Sequence, residues 1–382
     1  MKHLKRIMRN AMSWIKILFA NLFITFGLLG MLLLTPPIAY SIYSLSFSEQ
    51  TKKSSEDTRA RLELYNGIEW ASIHFAEFSK LPVTYFDYIT WRMDDFEGET
   101  INISDGLRET YEPTNPTINA DKYLFFGGST TWGTGVNDDN TYPSIFAERL
   151  NTRVTNFGEP GYIARQSLSL LTNYLLANSS VDFSGRHVVF YDGVNDVAHR
   201  CRSEISGLGT GREQQIQSIL STKSNEKYSF AKLFEQLTQF LQAVTRKLGM
   251  AGASSIASEN YKCSSDPRRA EEIARMLVET WQVASDLVTN RGGKFTAILQ
   301  PVAFIGSADI EYLNLNSAND TALSMQYQAV YPLIRQLAAD ANIDFVDLTT
   351  AYDSCNNCYI DFCHVGPQAH QILVDNLVNS IN

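Results

Sequence analysis

The chain has 382 residues, room for one large domain or two small ones. Apolar residues at 44%, aromatics at 12% and charged residues at 19% exclude a disordered chain, and 22 Gly with 11 Pro exclude a collagen-like or low-complexity one. Five cysteines are too few for a disulfide-built mini-scaffold, and a net charge of −9 argues against a nucleic-acid partner.

The charge is unevenly spread. Five of the 32 Lys/Arg and none of the 41 Asp/Glu fall in residues 1–44, which leaves a body of 27 against 41 that repels phosphate backbones. Lys2, Lys5, Arg6, Arg9 and Lys16 precede an uncharged run from Ile17 to Ser48. Its densest part, Ile17–Thr35, is mostly Leu, Ile, Phe and Gly. As a helix it nearly matches a hydrocarbon core ~30 Å thick, and continuing to about Tyr43 completes a transmembrane helix. The basic flank belongs in the cytoplasm. The expected protein is therefore single-pass, anchored by residues 1–45, with everything after residue 45 extracytoplasmic: periplasmic, or on the outer face of the plasma membrane. A cleaved signal peptide is the rival reading. Its apolar core runs only ~7–15 residues before a small-x-small site, and Ile38-Ala39-Tyr40-Ser41 is a poor one.

Residues 45–62 are polar and charged, and read as a linker or the start of a helix. Residues 63–120 are aromatic-rich and broken by Pro82, Pro113 and Pro116, which predicts a lead-in subdomain of short helices and strands packed on the main body. From residue 121 the pattern becomes regular. Strands are predicted at Lys122–Phe126, Arg153–Phe157, His187–Tyr191, Lys294–Leu299 and Ile343–Leu348. Helices are predicted at Tyr142–Leu150, Ala164–Ala177, Arg268–Asn290, Thr321–Ala341 and Pro367–Ser380. This alternation predicts an α/β domain over 121–382 with a parallel sheet covered by helices on both faces. Residues Ala198–Pro267, Gly- and Ser-rich around one plausible helix at Phe230–Leu248, read as an insertion.

Sites in open parallel sheets form beyond the carboxyl ends of the strands. After the first strand stands Gly127-Gly128-Ser129-Thr130-Thr131-Trp132-Gly133. It is neither a P-loop, since Thr134 stands where Lys is needed, nor a Gly-x-Ser-x-Gly elbow, since residue 131 is Thr. After the second comes Asn156-Phe157-Gly158-Glu159-Pro160-Gly161, after the third Gly193-Val194-Asn195-Asp196, and before the last helix Asp361-Phe362-Cys363-His364. Each alone has a plain structural use: Ser129 as a helix cap, Gly158 and Gly161 as turn residues, Asn195 as a turn former, Asp361 and His364 as a helix approach. Together they supply what acyl transfer needs: a nucleophile, a base, a residue orienting the base, and donors for an oxyanion.

The order and spacing of these four blocks resemble the SGNH (GDSL-type) hydrolase family, over about residues 121–382. The resemblance implies a flavodoxin-like three-layer α/β/α sandwich. It implies a triad of Ser129 as nucleophile, His364 as base and Asp361 orienting the imidazole. It also implies an oxyanion hole of the Ser129 and Gly161 N–H groups and the Asn195 amide, with no cofactor and no metal. His370, inside the last helix, is a less suitable base. One departure is that Gly128 stands where the family's name motif has Asp. A second, looser resemblance lies in Trp91-Arg92, Gly106-Leu107-Arg108-Glu109-Thr110 and Phe126–Gly135. These stretches are similar to membrane-anchored SGNH proteins of bacterial surface-polysaccharide systems. That likeness implies O-acyl chemistry on a glycan, possible membership of a polysaccharide-assembly complex, and Trp132 as either a sugar-stacking ring or a core residue.

The leading expectation is a membrane-anchored serine esterase that removes acetyl or another small acyl group from a carbohydrate. An O-acyltransferase with the same triad is the first alternative, lipase or lysophospholipase activity another. A non-catalytic glycan-binding or assembly protein is the alternative from another class, and the complete Ser/Asp/His set argues against it. Cys355-x2-Cys358 with Cys363 and His364 offers a zinc-type set, but an oxidising compartment favours disulfides. Cys201 and Cys263 bracket most of the insertion and are expected to pair. Cys355, Cys358 and Cys363 then leave one pair and one odd thiol, and a bonded Cys363 would tether the Asp361–His364 loop.

Overall fold

A computed structural model describes residues 12, 14–27, 57–114, 122–180, 182–202 and 261–381. The chain divides into two units, Met1–Ser55 with Gln215–Ala257, and Glu56–Gln214 with Ser258–Asn382. In the first, residues 14–27 are helical. The remainder of the predicted span and the predicted helix Phe230–Leu248 lie outside the described residues. Among the described residues no helix is long and apolar enough to cross a membrane.

The second unit opens with 3-10 turns at Thr58–Arg61 and Glu63–Tyr65 and helix α1 (Ala71–Phe78). Five short strands follow: β1 (Val83–Thr84), β2 (Arg92–Met93), β3 (Phe96–Glu97), β4 (Asn102–Ser104) and β5 (Leu107–Arg108). Then strands and helices alternate: β6 (Tyr123–Gly127), α2 (Ser129–Trp132), α3 (Tyr142–Leu150), β7 (Val154–Gly158), α4 (Ala164–Ala177), β8 (His187–Asp192) and α5 (Val194–Arg200). After residues 203–260, which are not described, come α6 (Pro267–Thr289), β9 (Lys294–Leu299), α7 (Ala318–Asp340), β10 (Phe345–Asp347) and α8 (Pro367–Ile381).

Local chemistry explains the boundaries. Thr141 caps α3 by accepting from the Ser144 N–H, with Pro143 in the first turn. Asp266 caps α6 ahead of Pro267, whose missing N–H costs nothing at that position. Ser317 and Asp320 cap each other's backbone, and this starts α7 three residues earlier than its apolar periodicity suggests.

The strands β6 and β8 are buried along their whole length, as strands covered on both faces must be. Tyr123, Phe125, Val189 and Tyr191 pack with Phe146 of α3 and Leu373 and Leu377 of α8. The alternate residues Leu124, Phe126, Val188 and Phe190 pack with Leu171 of α4, Leu277 and Trp281 of α6 and Tyr331 of α7. Period-two alternation thus feeds two cores, and three layers result.

The sheet order is β10-β9-β8-β6-β7-β5-β4-β3. Its five long-sequence strands are parallel, and read from β7 they run 2-1-3-4-5, the flavodoxin-like order. The expectation of a wholly parallel sheet needs correction. Residues 57–114 do not merely pack on the body: β5 pairs antiparallel with β7, β4 with β5 and β3 with β4, so the lead-in extends the same sheet. Strands of two or three residues carry too little periodicity to announce themselves.

Candidate active site

In the 2-1-3-4-5 order the strand direction of travel reverses between β6 and β8, and the crevice there is where such folds bind ligands. Gly127 lies in register with Gly158 of β7 on one side and Tyr191 of β8 on the other. The segments that follow these three strands therefore open side by side, and they carry Ser129, Gly161 and Asn195.

Ser129 is the first residue of α2, a single turn, so its N–H has no intrahelical partner. The turn is held from several sides. Asn156 donates to the Thr131 carbonyl at 3.0 Å and accepts the Gly158 N–H at 2.9 Å. Gln300 donates to Thr130 Oγ1 at 2.7 Å. Arg108, fully buried, donates to the carbonyls of Trp132, Gly133, Thr100 and Val136 and pairs with Asp138 at 2.8 Å.

His364 and Asp361 lie in a loop closed by the Tyr359–Val365 bridge and by the Ile360 N–H on the His364 carbonyl at 2.8 Å. That tight closure lets two residues only three apart face each other. His364 Nε2 stands 2.6 Å from Ser129 Oγ, and His364 Nδ1 stands 2.7 Å from Asp361 Oδ2. Asp361 Oδ1 accepts the N–H groups of Cys363 at 3.0 Å and His364 at 2.8 Å. Burial opposes the charge on Asp361, but the pull of His364 and these hydrogen bonds outweigh it and hold the carboxyl well below the usual carboxylate range.

Asn195 donates from Nδ2 to the Tyr162 carbonyl at 2.8 Å. A Cβ on residue 128 would lie 2.5 Å from the same Nδ2. The Asn195 amide is thus wedged between the neighbours of Ser129 and Gly161. The glycine at 128, which departs from the name motif, leaves the space the amide fills. Gly161 adopts φ +82°, open to glycine at little cost, and its N–H has no acceptor among the described residues.

The predicted residues Ser129, Gly161, Asn195, Asp361 and His364 are therefore brought together. The alternative base His370 is not: it is fully buried and accepts the Tyr142 N–H at 2.9 Å, and burial pushes it down to about 3. The sugar-stacking option for Trp132 is also corrected. Its ring is 1% exposed and covered by Met93, Ile101 and Ile103, with the Arg108 guanidinium 4.2 Å over its face. Cys201 bonds Cys263 as expected, and Cys355 bonds Cys358. The idea that a disulfide from Cys363 tethers the site loop is overturned, because Cys363 is a buried free thiol. Its neighbours Cys355 and Cys358 are close enough in sequence to satisfy each other.

Among the described residues Asp361, Cys363 and His364 are the one trio of metal-type side chains within mutual reach. It fits a cation poorly. Burial raises the Cys363 thiol well above its usual range, and Arg59 already holds a positive charge 3.3 Å from Asp361 Oδ2. Arg59 went unseen in the sequence, since it lies 302 residues away from the carboxylate it touches. Glu159 also carried no local signal. It is buried beside Gly161, accepts the Met93 N–H, and burial, opposed by Arg92, pushes it up to about 8.

Residues 123–377 match the sequence profile of the GDSL-like lipase/acylhydrolase family, over more than half of the chain. The chain belongs to that family. It is a serine ester hydrolase of the GDSL type. The chain course is similar to that of a lipolytic G-D-S-L family protein from Veillonella parvula, at 15% identity and TM-score 0.39 over 69% of this chain and 98% of that one. It is also similar to an extracellular lipase from Streptomyces rimosus, at 13% identity and TM-score 0.36 over 67% and 99%. A third is an acetylxylan esterase from Geobacillus stearothermophilus, at 13% identity and TM-score 0.33 over 69% and 94%. A search of characterised protein sequences finds no significant match. Such distant GDSL relatives carry no argument about substrate.

Proposed function

We propose that this GDSL hydrolase is a membrane-anchored, extracytoplasmic esterase that removes acetyl or another small acyl group from a carbohydrate. The observation that carries the catalytic part is the unbroken chain from Ser129 Oγ through His364 to Asp361, at 2.6 and 2.7 Å. In this reading Ser129 attacks the ester carbonyl and His364 Nε2 takes its proton. His364 then returns the proton to the leaving alcohol, and Asp361 fixes the tautomer and stabilises the imidazolium. The oxyanion forms beside the Ser129 and Gly161 N–H groups and the Asn195 amide. Water then resolves the acyl-enzyme; a glycan hydroxyl in its place would make the same site an O-acyltransferase, which needs an acyl donor supplied from elsewhere, as within a polysaccharide-assembly complex.

The carbohydrate part rests on the looser resemblance and on two exposed rings. Tyr85 and Tyr88 are 62% and 88% exposed on the loop between β1 and β2. That loop is bound to the Gly161 segment: Trp91 donates to the Pro160 carbonyl at 3.2 Å, Tyr162 to the Trp91 carbonyl at 2.5 Å, and Gln166 to the Ile89 carbonyl at 2.9 Å. The anchor rests on the basic flank and uncharged run of residues 1–48. The exposed Trp14, Phe19, Phe23 and Phe26 in the helical residues 14–27 suit a lipid-facing surface.

The test uses the full-length protein in detergent, a fluorophosphonate probe and a panel of O-acetylated oligosaccharides. Labelling and acetate release should both vanish in Ser129→Ala. Labelling that persists in that variant rejects the triad, and transfer to added glycan without acetate release selects the transferase. Tyr88→Ala should raise KM on the oligosaccharides and leave a small phenyl ester unaffected.

A further inference from the structure

Asp361 Oδ2 accepts two donors, His364 Nδ1 at 2.7 Å and Arg59 Nη1 at 3.3 Å. Arg59 belongs to the first 3-10 turn of the unit, far from the hydrolase profile that begins at residue 123. It does not stand alone. Asp57, two residues earlier, takes Arg59 Nε at 3.1 Å on Oδ1 and Nη2 at 2.8 Å on Oδ2, and its Oδ1 also caps the turn through the Arg59 N–H at 3.0 Å. The guanidinium is further fixed over the Phe75 ring at 4.8 Å. Three charges therefore stand in series, Asp57 carboxylate, Arg59 guanidinium, Asp361 carboxylate, and end on the imidazole of His364.

We infer that the Asp57–Arg59 pair is a positioning device that sets the basicity of His364 through Asp361. The inference rests on the triad proposed above. Neither residue touches the reacting atoms. Arg59 shares the oxygen that would stabilise the imidazolium, and its own positive charge opposes a second one nearby. Both effects act on the positive charge that develops on the imidazole when it takes the Ser129 proton. Asp57 partly neutralises Arg59 and limits the effect. The other groups facing this series are few. Cys363 flanks Asp361 from the same loop, Tyr65 faces Asp361 and Arg59 from the second 3-10 turn, His74 of α1 faces Arg59, and His370 of α8 faces His364. Burial holds Tyr65 protonated, the Cys363 thiol neutral, and His74 and His370 uncharged near neutral pH.

The two halves of the pair predict shifts of opposite sign. Arg59→Gln removes a positive charge, so the acid limb of kcat/KM should move to higher pH, by about half a unit for partly exposed groups. Asp57→Asn keeps the cap but leaves Arg59 unneutralised, so the acid limb should move to lower pH by a similar amount. Arg59→Lys should hold most of the wild-type profile. The measurement is the pH dependence of kcat/KM on a small phenyl ester and of the fluorophosphonate labelling rate, both on full-length protein in detergent. Shifts of the same sign in Arg59→Gln and Asp57→Asn, or reduced turnover with unmoved profiles, would overturn the inference and leave the triad standing. If Arg59→Gln does not fold, the sign in Asp57→Asn decides. Labelling retained by Ser129→Ala is a different failure, and removes the triad itself.

Discussion

At the scale of single residues the most informative position is Gly128, because its missing side chain and the Asn195 amide occupy the same space. A Cβ there would stand 2.5 Å from Nδ2, far inside contact distance, and Asn195 has no freedom to retreat while it donates to the Tyr162 carbonyl. Restoring the name-motif residue by Gly128→Asp should therefore push the amide out of place. If that amide serves the oxyanion, turnover should fall about 100- to 1000-fold, as it should in Asn195→Ala, with KM little changed. The double variant should be no worse than either single one, since both remove the same donor. Steady-state kinetics on a small ester decide this; losses that multiply would show that Gly128 and Asn195 act separately. The serine, asparagine and histidine of this site were legible in the sequence, because each sits just after a strand or just before a helix that its own periodicity reveals. Arg59 and Glu159 were not, since what they touch is fixed only by folding.

The elements divide along the same line. The five parallel strands and the five predicted helices match their ranges closely, because long apolar runs, caps and prolines act locally, whereas the short helices α2 and α5 went unpredicted and α5 runs into the start of the expected insertion. The short strands β3, β4 and β5 gave no such signal, and yet β5 supports the site. Its register sets Arg108 opposite Asn156, and both side chains reach carbonyls of the turn that begins at Ser129. Arg108→Met would strand those carbonyls and leave Asp138 without its cation. Breaking a buried pair from one side costs ~3–5 kcal/mol. The variant should show a lower denaturation midpoint with an unchanged m-value and reduced turnover. A midpoint within experimental error of wild type would mean that β5 contributes little to holding the turn.

For the molecule as a whole, two stability terms can be measured. The Cys201–Cys263 bridge spans a sequence separation of 62. In the chain-entropy account a loop of that size contributes about 4 kcal/mol, so the Cys201→Ser, Cys263→Ser pair should lose stability of that order. Equal stability by chemical denaturation would remove the bridge from the account. Acid should act through buried histidines. Burial lowers His187 to about 4 and His370 to about 3, from 6.5. A group depressed in the fold takes up a proton on unfolding, so stability is full above about pH 6.5 and declines as pH falls through 6.5 toward 4. His370→Asn, which keeps an acceptor for the Tyr142 N–H, should flatten that decline. A slope unchanged in this variant would move the effect elsewhere.

The order of blocks along the chain and the parallel α/β core were legible in the sequence alone, and the family resemblance those blocks carry pointed to Ser129, Asp361 and His364. Each depends on periodicity, turn chemistry or spacing within a few residues, and such signals survive without knowledge of the fold. Four things were decided only in three dimensions: the antiparallel extension of the sheet, the burial of Trp132, the free thiol at Cys363, and the Asp57–Arg59 series that ends on the site carboxylate. All four depend on which distant segments become neighbours. Short-range preferences are blind to such pairings, because what selects them is the packing of the assembled core.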